Sequence, residues 1–176
     1  MQIHVDSIRE AVKSQFDIAW RLLEYHLNGI DDDECLWRPC PKGVFVEKIS
    51  NGWVADWPKA EGYELGPPNI AWLTWHIIFW WSMVFDHSFD RGALRREDVI
   101  WPGTIAKAEK TIFQFRQNWL DRLSSLSDED FTSTKMTKWP FEDKPFYELA
   151  AWLNVELMKN TAEIGYCRFL YANRSK

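Results

Sequence analysis

The chain has 176 residues, 46% hydrophobic and 27% charged, which suits one globular domain with a continuous core and excludes disordered, collagen-like and coiled-coil classes. A formal net charge of -5 supplies no basic field for phosphate backbones or anionic lipid, so nucleic acid is not an expected partner. The 12 Trp, 11 Phe and 5 Tyr make 16% of the residues aromatic, and rings in that number either fill a core or line a cavity.

The amino-terminal segment carries charges from Asp6 onward without an apolar run, so it reads as neither a secretory nor a transit signal. Ile8, Ala11, Val12, Ile18, Ala19, Leu22 and Leu23 then recur at three- and four-residue spacing, which predicts a first amphipathic helix over about 4–28, stopped by Gly29. Residues 29–68 hold five prolines and several glycines and cannot sustain a long helix. They read as a long loop with one helical turn at Asp32 to Leu36, lying across one end of the bundle and packed by Trp37, Phe45, Trp53, Trp57 and Tyr63. Asn69 follows two prolines and precedes an apolar run, so it predicts the N-cap of a second helix over 70–89 that is apolar on nearly all sides. The run Ile70 to Phe85 is 16 residues, too short to cross a bilayer, and reads as a buried helix. Ile105, Ala108, Ile112, Phe115, Trp119 and Leu123 mark a third helix over about 104–126. Pro145 opens a fourth, over 145–172, whose inward side is Phe146, Leu149, Ala150, Leu153, Leu157 and Ile164. Four helices and no evident strand predict a single all-α bundle. The acidic turns GIDDDECL and LSDEDF, after helices one and three, are a faint internal echo.

The chemistry centres on two helices. On the fourth, Leu149, Leu153, Glu156, Asn160, Glu163 and Cys167 fall within about 80° of one another, so Glu156, Asn160 and Glu163 make a polar stripe beside the apolar face. A buried carboxylate needs a metal, a cation, a histidine or water; the plain alternative is a solvated stripe at the bundle edge. On the second helix His76 stands among Leu73, Ile77, Phe79, Trp80 and Trp81, which predicts a buried ring with a hydrogen-bond partner. A lone helical histidine is more often a satisfied core residue than a ligand. His87 lies roughly 16 Å further along the helix and cannot share an ion with it. His26, on the inward stripe of helix one, is a weaker candidate for the same cavity, and His4 belongs to the frayed terminus. No GxSxG, HExxH, P-loop or GxGxxG motif occurs. Cys35, Cys40 and Cys167 form no CxxC pair, which fits a reducing cytoplasm and argues against a disulfide framework or zinc ribbon. Cys35 and Cys40 read as loop residues without an adjacent basic partner to activate them, and Cys167 as a small hydrophobic residue near a helix C-terminus, the end of the dipole that disfavours a thiolate.

LLEYHLNGIDDDECLWRPCPKG, PPNIAWLTWHIIFWW and WLNVELMKNTAEIGYCRFLY, in that order, resemble the DinB-like (DinB/YfiT) superfamily. The marks are the turn ending in Leu36-Trp37-Arg38-Pro39 and a histidine inside a tryptophan-rich second helix. The resemblance implies a four-helix bundle of unusual connectivity, a tendency to dimerise, and a divalent metal held by one histidine of helix two and an HxxxH pair on helix four. His76 matches the first ligand, whereas Glu156 and Asn160 stand where the two histidines would be and Glu163 where a glutamine would be. The implied site is then His76, Glu156 and Asn160, flanked by Glu163, His26, Trp72 and Trp80. Nickel or zinc suits three imidazoles; the altered set is harder and shifts the expectation toward manganese, iron or magnesium, or toward loss of the metal. Some relatives so implied are thiol-dependent S-transferases and isomerases, whose chemistry needs a Lewis acid with an open position.

Three readings follow: an enzyme or enzyme remnant with an altered divalent-metal site, a metal-free module binding a small, partly aromatic ligand, and a stress-associated protein acting through a homodimer interface. Of the tryptophans, Trp20, Trp119 and Trp152 are expected to pack the helices, while Trp72, Trp75, Trp80 and Trp81 are expected around His76.

Overall fold

Four long helices dominate the computed structural model, which describes residues 4–60 and 62–174. They are α1 (Val5–Leu27), α3 (Ile70–Phe89), α4 (Ile105–Ser125) and α6 (Phe146–Ala172), with two five-residue helices, α2 (Asp32–Leu36) and α5 (Asp128–Thr132), after α1 and α4. The long boundaries fall within a residue or two of the expected ones because the caps are chemical. The side-chain oxygens of Asn69 and Thr104 accept the backbone N–H groups of Trp72 and Lys107 at the first turns of α3 and α4. His4, expected in a frayed terminus, is the N-cap of α1, and its carbonyl accepts the Ser7 N–H at 3.0 Å.

The expectation of no strand is corrected. Within the long loop, β1 (Val46–Ile49) and β2 (Gly52–Ala55) form an antiparallel hairpin in which Ile49 faces Gly52. The turn residues Ser50 and Asn51 followed by Gly52, at φ +138°, are a hairpin signal that the count of prolines and glycines obscures.

Contacts along the helices give their directions. Asn154 donates to the Val12 carbonyl and Arg168 to the His26 carbonyl, so α1 and α6 run parallel. His76 meets Asn160, Trp80 meets Trp152 and Phe89 meets Phe146, so α3 runs antiparallel to α6. Arg9 reaches Leu123 while Arg116 reaches Asp17, so α4 opposes α1 and parallels α3. Two parallel neighbours in succession require a return, which residues 90–104 supply along α3. Indoles fasten it: Trp75 donates to the Val99 carbonyl at 2.7 Å, and Trp101 donates to the Thr74 hydroxyl at 3.0 Å. The hairpin is tied on by Trp53, whose ring lies 5.1 Å from that of Trp101.

Two arginines clasp opposite ends. Arg9 donates to the Leu123 carbonyl at 2.6 Å and to Asp128 at 3.0 Å, with Phe131 under its guanidinium. Arg168 donates to the His26 and Asn28 carbonyls at 2.8 and 3.0 Å and pairs with Glu34 of α2. The acidic turns are thus the two short helices, each held by one arginine. Phe16, Leu23, Trp119, Phe131, Phe146, Leu153 and Leu157 are fully buried between the long helices. Among the described residues, no helix is long and apolar enough to cross a membrane.

Candidate functional site

Trp72, His76 and Trp80 follow one another at four-residue steps, which puts all three on one face of α3. Where that face meets α6, His76 is 6% exposed and its Nδ1 lies 2.9 Å from Oδ1 of Asn160. The indole N–H of Trp80 donates to Nε2 of His76 at 3.0 Å. An indole can only donate, so Nε2 carries the lone pair and Nδ1 carries the proton that Asn160 accepts. The amide nitrogen of Asn160 donates to the Glu156 carbonyl at 2.7 Å, which fixes which way its oxygen points. Both ring nitrogens are therefore satisfied inside the protein. Burial pushes the His76 pKa down to about 4; the Lys159 ammonium acts in the same direction and the Asn160 bond opposes them. The ring is neutral at physiological pH.

Aromatic rings surround it. Trp72 stacks on His76 at 4.6 Å and 20°, and the Trp72 N–H donates to the Asp56 carbonyl at 2.8 Å. Trp57, from the segment after β2, lies 6.2 Å from His76 and 5.2 Å from Phe79, with the Arg96 guanidinium 5.2 Å over its ring. Above these rings opens a cavity of about 820 Å³, lined by Trp57, Tyr63, Trp72 and His76 and carrying Lys59, Lys159 and Glu163. Gly66 closes its edge: at φ +83°, a Cβ there would stand 2.2 Å from the Lys42 carbonyl oxygen, so only glycine lets the two loop strands approach so closely.

Of the residues singled out in the sequence, His76 and Asn160 meet directly, Trp80 caps the imidazole, and Trp72 and Glu163 line the cavity. Glu156 instead pairs with Lys159 at 2.7 Å. His26 is not among the cavity's lining residues and lies against Gly165 of α6, where an added Cβ would come within 2.5 Å of its ring. Burial, and then the Arg168 charge, lower its pKa. Trp81, expected beside His76, turns to the core against Phe16 and Trp119, because one residue of helix rotates a side chain by about 100°. Trp57 was expected only to pack the loop, and no local pattern places it at the site. Tyr63, given the same packing role, is fully exposed. Lys159 was missed although it stands three residues after Glu156, a helical ion-pair spacing.

This donor set does not fit a divalent metal. The one imidazole lone pair receives the Trp80 N–H, the Asn160 oxygen receives the Nδ1–H, and Lys159 neutralises Glu156. Among the described residues, no group of three or more His, Cys, Asp or Glu side chains is placed to hold a metal ion. The two buried thiols, Cys35 and Cys167, are equally unsuited to nucleophilic work. Burial pushes Cys35 far up and Cys167 up to about 12, and nearby carboxylates, including Asp32 at Cys35 and Glu163 at Cys167, act the same way.

No curated protein and no solved structure matches the chain. The family model described as the DinB superfamily matches residues 15–164, a span that includes all of α3 and α4, the larger part of α1 and α6, and every residue of the His76 site. With that match, the up-down-down-up bundle and the histidine of its tryptophan-rich second helix agree on one assignment: the chain belongs to the DinB superfamily.

Proposed function

We propose that this DinB-superfamily chain is a small-ligand-binding protein in which a closed set of hydrogen bonds stands where a metal centre would be, and that the cavity over His76 takes a ligand with aromatic character. The observation that carries the reading is the Trp80 N–H seated on the lone pair of His76, which leaves the imidazole without a free donor. The aromatic walls and the volume of about 820 Å³, within the usual range for small-molecule sites, support a ligand-binding role. Protein purified without chelators is expected to carry no stoichiometric manganese, iron, nickel or zinc by elemental analysis, and none of these is expected to shift its melting temperature. An aromatic probe is expected to quench its tryptophan fluorescence. One bound metal per chain, lost on His76→Ala, overturns the reading.

The thiol-dependent reaction draws no support from three free cysteines of which two are buried with raised pKa values. Free thiols do accord with a cytoplasmic protein. The homodimer keeps a separate argument. Ile18 and Tyr25 on α1 and Val155, Tyr166 and Phe169 on α6 are all more than half exposed, a share of large apolar side chains that a partner surface would cover. Sedimentation of the wild type against a Tyr166→Glu, Phe169→Glu double variant tests it; a dimer that persists in the variant, or a monomeric wild type, overturns that interface.

A further inference from the structure

The charges around the cavity narrow its ligand. Among the described residues, three charged side chains line it: Lys59, Lys159 and Glu163. Lys159 already sits 2.7 Å from Glu156, so little of its charge is left for a guest. Lys59 is exposed, makes no ion pair among the described residues, and lies two residues after Trp57 on the same segment. The floor adds no charge, because His76 is buried and neutral. An organic cation attracted to the indole faces would meet Arg96, which already lies 5.2 Å over Trp57, as well as the two lysines. An anion meets the Lys59 ammonium, which makes no ion pair among the described residues. Trp57 is 41% exposed and Trp72 half-buried, so each offers ring surface to a flat ligand while its other contacts hold it in place.

Resting on the ligand-binding reading above, we propose that the cavity selects a planar aromatic carboxylate, its ring against Trp57 and Trp72 and its carboxylate on Lys59. Calorimetric titration of the full chain with 2-naphthoate, 2-naphthamide and 2-naphthylmethylammonium, at neutral pH and low ionic strength, separates ring from charge. The naphthoate is expected to bind roughly 2- to 5-fold tighter than the neutral amide and to lose that advantage as salt is added, the scale of one solvent-exposed ion pair. The ammonium compound is expected to bind weakest. Lys59→Ala is expected to bring naphthoate down to the amide's affinity without moving the melting temperature. Trp57→Ala is expected to weaken both by roughly tenfold, as loss of a stacking ring does. Equal affinity of the three probes, or preference for the cation, overturns the anion selection and leaves an aromatic-binding cavity standing. An anion preference that survives Lys59→Ala removes Lys59 from it and overturns the assignment, and affinity indifferent to Trp57→Ala puts the ligand elsewhere. No binding of any probe overturns both this proposal and the ligand-binding reading.

Discussion

The interface between α3 and α6 carries two different chemistries at its two ends. Around Phe89 and Phe146 it is an aromatic core: Trp119 lies 6.0 Å from both Phe85 and Phe146, Phe131 lies 6.4 Å from Phe146, and Trp119 and Phe146 are fully buried. Around His76 and Asn160 the same helices enclose a polar chain in which each group donates to the next, from the Trp80 N–H through the imidazole and the Asn160 amide to the Glu156 carbonyl. Both ends are rich in tryptophan, yet the rings do different work. At the core end an indole contributes area; at the cavity end Trp80 contributes one hydrogen atom to one lone pair, and Trp57 and Trp72 keep part of their surface open. Aromatic content alone therefore does not distinguish a core from a site; what does is whether the rings remain accessible, because the buried Trp75 and Trp101 also have acceptors for their indole N–H groups.

The comparison can be broken most forcefully at the core end. Trp119→Ala is expected to lower stability by about 3–5 kcal/mol in urea unfolding, the cost of removing a fully buried ring, while naphthoate affinity measured below the transition stays unchanged. Next comes pH. The folded-state pKa of His76 is about 4 against an ordinary 6.5, so the unfolded chain binds the proton more readily, and stability present above pH 6.5 is lost as pH falls toward 4. At about 1.4 kcal/mol per pH unit that loss approaches 3 kcal/mol, and unfolding curves of His76→Gln are expected to show a correspondingly flatter slope over the same range. Asn160→Leu leaves the buried Nδ1–H of His76 without its acceptor, while the Glu156 carbonyl keeps its helical backbone bond, and is expected to cost about 1–3 kcal/mol. A wild-type stability in that variant would mean that the polar chain is not closed as described. The smallest effect belongs to Trp80→Phe, which keeps a ring but removes the N–H: about 1 kcal/mol of stability, together with a rise in the His76 pKa in NMR titration, because a bond that favours the neutral ring is gone.

How much of this the sequence discloses depends on whether the information is local. The four helices are legible because their periodicity and the Asn69 and Thr104 caps lie within a few residues of one another. His76 and Asn160 are legible as inward-facing residues on two such helices, and the resemblance joins them. Which atoms meet is not legible. Whether Glu156 faces a metal or Lys159 depends on rotamers, and a helical ion pair at that spacing competes with any ligand role. Trp57 enters the site because the hairpin and the return along α3 fold the loop back over His76, a consequence of tertiary packing that no window around position 57 contains. Trp81 is the opposite case, since helical rotation alone separates it from Trp80. The hairpin was readable at Ser50-Asn51-Gly52 and was obscured by the prolines on either side.

The arginine clasps have a consequence for cooperativity. Helices α1 and α4 end with carbonyls that no side chain nearby in sequence satisfies; the donor for one is Arg168, more than 140 residues further on, and the donor for the other is Arg9, 114 residues earlier. Each is a cation set at the negative end of a helix dipole. Neither α1 nor α4 is fully terminated until the opposite extremity of the chain has docked, so each clasp couples the end of one helix to a distant part of the sequence. Cutting the chain before Arg168 is expected to loosen the end of α1 at the far side of the sequence, and amide exchange at residues 26–30 would register it first.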